Sequence, residues 1–255
     1  MTAHAAYPIV ATQRLRDLKL GIVCPMANEA ETAAEFIDAV LAVCARYSFR
    51  SVTFFVVVDK ASLDNTRDVL ELHQLGTPEL RVVWAPETRG VAEAYLRGYR
   101  EALAAGSDWI LEIDGGFSHM PSDISSFVEA MDAERDCVFG SRFMRGGRNR
   151  GTLRRRLISR GGTSLTNALL GTDLTDMTSG FQLFTRATLE EVLAKGIRSK
   201  GPFFQTEMKA HCRNLRVAEV PIQYSAGSNN VGRRAIVESF VNLGALFHRR
   251  IVGEL

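Results

Sequence analysis

Short apolar runs rich in β-branched residues alternate with longer amphipathic stretches through the first 140 residues of the chain. The runs occupy residues 20–24, 52–58, 80–84, 109–113 and 137–139. Strands that are apolar along their whole length are typical of a parallel sheet that is covered on both faces. The pattern therefore predicts an α/β fold: a single mostly parallel, Rossmann-like sheet with helices on both faces.

The stretches between these runs show helical patterns of 12 to 17 residues. We expect helices over 29–45 and 90–105, because apolar side chains recur there at spacings of three and four. Open parallel sheets bind their ligands at the carboxyl ends of the strands. The polar residues that follow each strand are therefore the candidates for chemistry.

Carboxylates and other polar side chains follow four of the five predicted strands. The loops in question are Pro25–Glu29, Asp59–Thr66, Asp114–His119 and Gly140–Phe143. Each carboxylate taken singly would be explained as a helix cap. Several at one edge of a sheet suit a nucleotide and its metal-bound diphosphate, because divalent metals take hard oxygen ligands.

Residues 141–161 contain eight arginines and no acidic residue. They are Arg142, Arg145, Arg148, Arg150, Arg154, Arg155, Arg156 and Arg160. Crowded like charges repel, so a bound anion would stabilise the segment, whereas a solvated surface is the alternative. Substrate phosphate and anionic lipid are the candidate anions. Nucleic acid is disfavoured, because few aromatic residues are interspersed and no nucleic-acid motif accompanies the run.

Composition restricts the class of protein further. Of the 255 residues, 46% are hydrophobic and 24% charged, and the formal net charge is only +2. These values exclude a disordered chain and a disulfide-stapled miniprotein, and they make any strong electrostatic effect local. The four cysteines lack metal-binding spacing and are expected to be reduced, buried thiols of a cytosolic protein.

The chain shows no segment that we expect to cross a membrane. No apolar run reaches the roughly 18 residues that a span requires, and polar residues interrupt the first apolar segment, which argues against a signal peptide. We expect a cytoplasmic protein, in the bulk or at the cytoplasmic face of a membrane. The stretch 233–250 has apolar residues between basic ends, and it either packs on the core or lies on an anionic bilayer.

Short motifs between residues 20 and 225 follow one another in a recognisable order. They are Pro25…Asn28-Glu29, Val58-Asp59…Ser62…Asp64…Thr66, Gly90…Ala94…Gly98, Asp114…Ser118-His119-x-Pro121, Gly140-Ser141-Arg142-Phe143 with Gly146-Gly147, Ile158-Ser159-Arg160-Gly161, Thr178-Ser179-Gly180-Phe181, Phe204-Gln205-x-Glu207-Met208 and Glu219-Val220-Pro221-Ile222. The series resembles the family 2 glycosyltransferases, and most closely the dolichyl-phosphate (polyprenyl-phosphate) mannosyltransferase branch.

The resemblance implies a GT-A fold over residues 20–232, after an N-terminal extension (1–19) and before a C-terminal amphipathic helix (233–255). It implies inverting transfer of a sugar from a GDP-mannose-like or UDP-sugar donor to a polyprenyl or dolichyl phosphate, with Mg²⁺ or Mn²⁺ as cofactor. The implied donor-binding residues are Pro25, Asn28, Glu29, Asp59, Asp114, Gly115 and Gln205.

The resemblance and the arginine segment together suggest residues for the acceptor and for catalysis. The acceptor phosphate is expected to contact Arg142, Arg155, Arg160 and Arg233. The expected catalytic residues are Asp114, Arg142, Arg155 and Glu207, with Glu207 as the base if the acceptor is a hydroxyl. Asp114 and Ser118 are the expected metal ligands, and His119 is expected to be structural.

Three departures from the family pattern keep alternatives open. Gly116 replaces the second acidic residue of the family's Asp-x-Asp, and Lys60 stands where the family has an Asp. The family's basic motif Arg-x-x-Gly-x-Ser-Lys is missing from 225–232, and Arg233 is the candidate for its lysine. A soluble small-molecule acceptor and a catalytically inactive nucleotide-sugar-binding subunit are therefore the alternative functions.

Overall fold

A computed structural model describes residues 15–132, 134–225 and 233–255, without the side chains of 233–235. Most of the expected N-terminal extension lies outside the described residues. So does the segment 226–232, which lacks most of the family's basic motif. The described strands are β1 Lys19–Pro25, β2 Ser51–Val58, β3 Leu80–Trp84, β4 Trp109–Glu112, β5 Cys137–Ser141, β6 Arg148–Asn149, β7 Gln182–Thr185, β8 Val217–Pro221 and β9 Gln223–Tyr224.

Seven of these strands form one sheet in the order β3-β2-β1-β4-β7-β5-β8. The pairs among β1 to β4 and the pair β5–β8 are parallel, whereas β7 runs antiparallel to both β4 and β5. A second small sheet pairs β6 with β9. The prediction of a mostly parallel sheet is confirmed, and the antiparallel insertion of β7 separates its two parallel parts.

The described helices lie on both faces of the large sheet. They are α1 Ala33–Cys44, α2 Thr66–Gln74, α3 Val91–Ala104, α4 Ile124–Ala130, α5 Leu153–Leu170, α6 Arg186–Ala194, α7 Phe204–His211 and α8 Arg233–Ile251. Helices α2 and α4 are shorter than the predicted 12 to 17 residues. Helix α1 begins four residues later than expected, because Asn28 has a left-handed φ of 60° and residues 29–32 form a turn.

Alternate residues of each strand enter cores on opposite faces of the sheet. Ile22 packs with the helices α1, α2 and α4, whereas the adjacent Val23 packs with α3, α6 and α7. Gly98 lets α3 approach β1 closely, since a Cβ at this position would overlap Val23. All four cysteines are buried and free, as the sequence predicts.

Helix α8 packs on α5 along only part of its surface. Leu243 and Leu246 are buried against Leu170, whereas Val237, Phe240 and nearby apolar side chains are exposed. Among the residues that the structure describes, none of the helices combines the length and the hydropathy needed to traverse a bilayer. Core packing thus accounts for one side of α8 and leaves its other side open.

Candidate active site

A cleft of about 430 Å³ lies at the carboxyl ends of β1, β2 and β4. Five of the seven predicted donor residues line it, and Asn28 and Gln205 are the two that do not. Ser118, Arg155 and Tyr224 line it as well. The strand-end carboxylates therefore meet at one edge of the sheet, as their positions in a parallel α/β fold predict.

Asn28 ties the loop after β1 to the loop after β2. Its backbone N–H donates to Ser62 Oγ (3.1 Å), and its side-chain amide donates to the Ala61 carbonyl (3.2 Å). Its Oδ1 accepts the Leu63 N–H at 2.9 Å. Through these three hydrogen bonds Asn28 holds the two loops together without lining the cleft itself.

Asp64 reinforces the same junction. Its carboxylate accepts the Thr66 hydroxyl (2.6 Å), the Thr66 N–H (3.0 Å) and the Ala30 N–H (3.2 Å). The hydrogen bonds from Thr66 lower the pKa of Asp64 to about 2. Thr66 also accepts the Glu29 N–H at 2.8 Å, so this network fixes the backbone of Glu29 at the rim of the cleft.

Asp59 is a buried carboxylate on the cleft wall, only 6% exposed. Its Oδ1 accepts the Ala61 N–H at 2.8 Å, and its Oδ2 accepts the Thr88 hydroxyl at 3.1 Å. Both partners are neutral donors. They orient Asp59 without cancelling its charge.

Asp114 is held from below and open to the cleft. The Tyr95 hydroxyl donates to its Oδ1 at 2.6 Å, and its side chain is 36% exposed. Burial raises the pKa of Tyr95, so this hydroxyl stays protonated as the donor. Buried His119 accepts the Asp114 backbone N–H at Nδ1 (3.3 Å), and burial lowers the pKa of His119, which supports its predicted structural role.

Gly116 has a left-handed φ of 63°, and the Glu29 carboxylate fills the space beside it. An ideal Cβ on Gly116 would lie 2.6 and 2.8 Å from the two Glu29 carboxylate oxygens. Ser118 Oγ, the other expected metal ligand, donates to the Gly115 carbonyl at 3.2 Å. Within the described part of the chain, no three His, Cys, Asp or Glu side chains form a cluster suited to a metal.

Arg142 is not the cleft-facing free cation that the sequence predicts. Its guanidinium forms two hydrogen bonds with the Asp176 carboxylate (2.7 and 2.9 Å), and both side chains are buried. Burial acts to lower the pKa of Arg142, but Asp176 raises it overall. The counter-charge missing from 141–161 is thus supplied by a residue 34 positions later in the chain.

The other expected acceptor arginines occupy different environments. Arg155 lines the cleft, donates to the Tyr224 hydroxyl at 2.9 Å and lies over the Tyr224 ring. Arg160 is an exposed residue whose guanidinium lies 5.1 Å from the centre of the Phe143 ring. The Arg233 side chain lies outside the described residues. Arg155 is therefore the predicted arginine that the structure brings to the strand-end carboxylates.

Glu207, expected as a possible base, is buried away from the cleft lining. Its carboxylate accepts the backbone N–H groups of Arg198 (3.1 Å) and Ser199 (2.8 Å), which ties down the loop before α7. These two hydrogen bonds and its burial give Glu207 a structural role in this loop. The expectation for Glu207 does not agree with this geometry.

Gln205 is outside the cleft lining and connects α7 to β4. It donates to Glu112 Oε1 at 2.9 Å, in space that exists because residue 180 is glycine. Tyr99 donates to the other oxygen of Glu112, a fully buried residue of β4. Burial raises the pKa of Glu112 to about 8, although the two hydrogen bonds oppose this shift.

An apolar groove of about 460 Å³ runs between α5 and α8. Leu157, Leu165 and Phe240 are among the side chains that line it, and Arg142 and Arg155 border it as well. Because Arg155 also lines the polar cleft, the two cavities share this one cation as a boundary. We call the second cavity the α5–α8 groove.

Sequence reasoning missed the residues that hold the predicted ones in place. Tyr95 lies among the apolar positions of α3, so the sequence pattern does not reveal that its hydroxyl donates to Asp114. Asp176 precedes the Thr178–Phe181 motif by two residues, and Tyr224 follows the Glu219–Ile222 motif by two residues. Their partners are 34 or more residues away, apart from Tyr95, which is 19 residues from Asp114.

Residues 21–193 match the glycosyl transferase family 2 model. The chain belongs to this family. It is 30% identical over 208 residues to the polyprenol monophosphomannose synthase of Mycolicibacterium smegmatis, covering 80% of this chain and 76% of that protein. It is 32% identical over 194 residues to the undecaprenyl-phosphate mannosyltransferase of Micrococcus luteus, covering 74% and 79%. The resemblance stated from the motifs is thereby confirmed.

The fold is also similar to solved structures. Glucosyl-3-phosphoglycerate synthase from Mycobacterium tuberculosis, in complex with Mn²⁺, UDP-glucose and phosphoglyceric acid, superposes with a TM-score of 0.67. The match covers 95% of this chain and 86% of that chain at 18% identity. The same enzyme in complex with uridine diphosphate gives the same TM-score at 17% identity. These matches confirm the GT-A-like α/β architecture of this glycosyltransferase.

Proposed function

We propose that this chain transfers a sugar, with inversion at the anomeric carbon, from a nucleotide sugar to a polyprenyl phosphate. The observation that carries the proposal is that Arg155 borders both the polar cleft and the α5–α8 groove. An acceptor with a phosphate head and an isoprenoid tail requires a cation where a polar and an apolar cavity meet. The names of the two mannosyltransferase relatives support the same class of acceptor.

The strand-end carboxylates support a nucleotide sugar as the donor. In this proposal Asp59 holds the nucleoside, and the loop from Asp114 to Ser118 faces the diphosphate. Pro25 and Gly115 contribute backbone and apolar surface to the cleft. GDP-mannose-like and UDP-sugar donors both satisfy this arrangement, so both belong in the test.

The transfer step requires no general base. An oxygen of the acceptor phosphate attacks the anomeric carbon while the bond from that carbon to the diphosphate oxygen breaks. The electron pair of the breaking bond leaves with the nucleoside diphosphate, so one C–O bond forms as one is lost. A phosphate monoester is already ionised near neutral pH, and this is consistent with the burial of Glu207.

Arg155 is the residue to which we assign the acceptor phosphate. A guanidinium binds phosphate oxygens through charge-assisted hydrogen bonds, and a fixed positive charge stabilises negative charge that shifts between reactants. The hydrogen bond to the Tyr224 hydroxyl holds Arg155 at the boundary of the two cavities. Arg142, whose charge is already neutralised by Asp176, is a structural part of the groove lining.

Bound Mg²⁺ or Mn²⁺ would neutralise the charge that develops on the departing diphosphate. Asp114 offers an accessible carboxylate, and Ser118 offers a hydroxyl on the same loop. The chemistry of these donors fits a divalent cation. Tyr95 would orient Asp114 toward it, because its hydroxyl already occupies one carboxylate oxygen.

We also propose peripheral membrane contact through the exposed sides of α5 and α8. Leu153, Leu157, Phe240 and Val241 are between 60% and 69% exposed there. Arg154 and Arg156 are exposed on the same stretch of α5. Exposed apolar side chains beside basic ones are typical of helices at an anionic bilayer surface.

Transfer is tested with GDP-mannose and UDP-glucose, Mg²⁺ or Mn²⁺, and polyprenyl phosphate in vesicles containing anionic lipid. The expected result is release of the nucleoside diphosphate together with a glycosylated lipid phosphate. Transfer to phosphoglycerate in place of the lipid would favour the soluble-acceptor alternative. Tight nucleotide binding without any transfer would favour the inactive binding subunit.

The membrane surface is tested by vesicle sedimentation. Phe240→Asp is expected to reduce binding to anionic vesicles several-fold, because it places a charge on the apolar side of α8. Leu72→Asp is the matched control, since Leu72 is an apolar side chain that is 71% exposed but lies on α2. Equal binding by both variants would contradict the proposed surface.

A further inference from the structure

The space that a side chain at Gly116 would occupy holds the carboxylate of Glu29. Gly116 has no side chain, and both carboxylate oxygens of Glu29 lie within 2.8 Å of the place its Cβ would take. Glu29 and Asp114 line the same cleft. An acidic group thus occupies the space beside Gly116, supplied by the loop after β1.

The network around the loop after β1 explains why Glu29 reaches this position. The Glu29 N–H donates to the Thr66 hydroxyl oxygen, and the Ala30 N–H donates to the Asp64 carboxylate. These two hydrogen bonds fix the backbone in the turn that precedes α1. The Glu29 carboxylate accepts one hydrogen bond from the Thr32 hydroxyl, at 3.1 Å. The Thr32 hydroxyl is a neutral partner, and Glu29 lines the cleft together with Asp114.

Two carboxylates change what the cleft can bind. Mg²⁺ in nucleotide enzymes commonly uses one or two protein carboxylates together with substrate phosphates and water. Asp114 alone meets the lower limit, and Glu29 would supply the second carboxylate. The nearby cation in the sequence, Lys60, is exposed and is not part of the cleft lining.

We propose that Glu29 is the second carboxylate ligand of the divalent cation, acting with Asp114 in place of the acidic side chain that Gly116 lacks. This inference rests on the proposed function, because the donor diphosphate completes the coordination. It assigns to Glu29 a role beyond the nucleotide contact expected from the sequence. It also implies that Gly116 and Glu29 are coupled, since an Asp at 116 would compete with Glu29 for one space.

The test measures Mn²⁺ affinity by electron paramagnetic resonance, with guanosine or uridine diphosphate present. Glu29→Gln keeps the shape of the side chain and removes its charge. It is expected to weaken Mn²⁺ binding at least about tenfold, since even the partners of metal ligands have effects of this size. Glu31→Gln is the matched control, because Glu31 is an exposed acid two residues away.

A residue swap makes the test specific. Gly116→Asp alone is expected to bind Mn²⁺ no more tightly than wild type, because its Cβ would meet the Glu29 carboxylate. Glu29→Ala should lose Mn²⁺ affinity, and Glu29→Ala with Gly116→Asp should regain most of it. Asp is among the residues that tolerate a left-handed φ best.

The outcomes separate this inference from the proposed function. Glu29→Gln should weaken nucleotide binding less in the absence of Mn²⁺ than in its presence. A wild type that binds neither nucleotide would overturn the proposed function and this inference with it. Unchanged Mn²⁺ affinity in Glu29→Gln, or an equal loss of metal-free nucleotide affinity, would overturn the inference alone.

Discussion

The strand-end cleft and the α5–α8 groove treat charge in opposite ways. In the cleft, Asp59 and Asp114 accept hydrogen bonds from neutral hydroxyl and N–H donors. At the groove, the charge of Arg142 is cancelled by Asp176 inside the protein. Arg155, held by a tyrosine hydroxyl, remains at the surface of the cleft.

The difference teaches how to interpret a run of like charges. Counting arginines in 141–161 predicts a strong anion site, yet the members of the run do not share one role. A buried guanidinium must be paired, because the cost of desolvating an isolated charge exceeds any structural benefit. Arg155, in contrast, lies in the lining of both cavities, where a ligand can reach it.

The largest effect that would sharpen this contrast is loss of the buried pair. Arg142→Ala is expected to destabilise the fold by about 3–5 kcal/mol, because it leaves Asp176 buried without its partner. Urea denaturation measures the change. Arg142→Ala with Asp176→Ala should recover part of the loss, and exposed Arg154→Ala should cost little. Wild-type stability in Arg142→Ala would contradict a structural role.

A second effect concerns Glu112, which accepts hydrogen bonds from Tyr99 of α3 and Gln205 of α7. Its pKa is raised to about 8 in the folded protein. Its contribution to stability is therefore full below the unfolded pKa of about 4.5 and is lost as the pH rises through 8. Glu112→Gln should remove this loss, which we expect to be about 2–4 kcal/mol between pH 5 and pH 8.

Denaturation at pH 5, 6.5 and 8 measures the difference between wild type and Glu112→Gln. Glu129→Gln, which removes an exposed carboxylate on α4, should follow the wild-type curve. Parallel pH dependence in wild type and Glu112→Gln would show that Glu112 is ionised in the folded protein throughout this range.

A third effect should appear in turnover and not in stability. Arg155→Ala is expected to lower kcat/KM for the lipid phosphate roughly ten- to hundredfold, the loss of about 1.5–3 kcal/mol for a charge-assisted phosphate contact. Its unfolding midpoint should stay near that of wild type. Arg100→Ala, which removes an exposed arginine of α3, is the control. Near-normal transfer by Arg155→Ala would remove the distinction between Arg155 and the buried Arg142.

The smallest effect probes the donor side. Tyr95→Phe removes the hydroxyl that donates to Asp114, and we expect nucleotide affinity in the presence of Mn²⁺ to fall several-fold, or about 1 kcal/mol. Calorimetry with and without the metal measures the change. Because water can reach Asp114, the loss should be modest. A loss of the same size without metal would place the role of Tyr95 elsewhere.

Much of the donor side could be predicted from the sequence. Apolar runs mark the strands, and the polar residues that follow them must meet at one sheet edge in a parallel α/β fold. The direction of β7 was less accessible, because a buried antiparallel strand in the middle of a sheet has no pattern that distinguishes its direction. The turn before α1 was missed because Asp64 and Thr66, from another loop, hold its backbone.

The sequence by itself determined the fold class, the family, and which loops carry the donor-site carboxylates, because each depends on local patterns repeated along the chain. Only the tertiary structure decided which charges are available. It paired Arg142 with Asp176, left Arg155 between the cleft and the α5–α8 groove, and brought Glu29 to the space beside Gly116. Burial and the partners that accompany it set the free energy of a charge, and neither is encoded at the position of the charged residue alone.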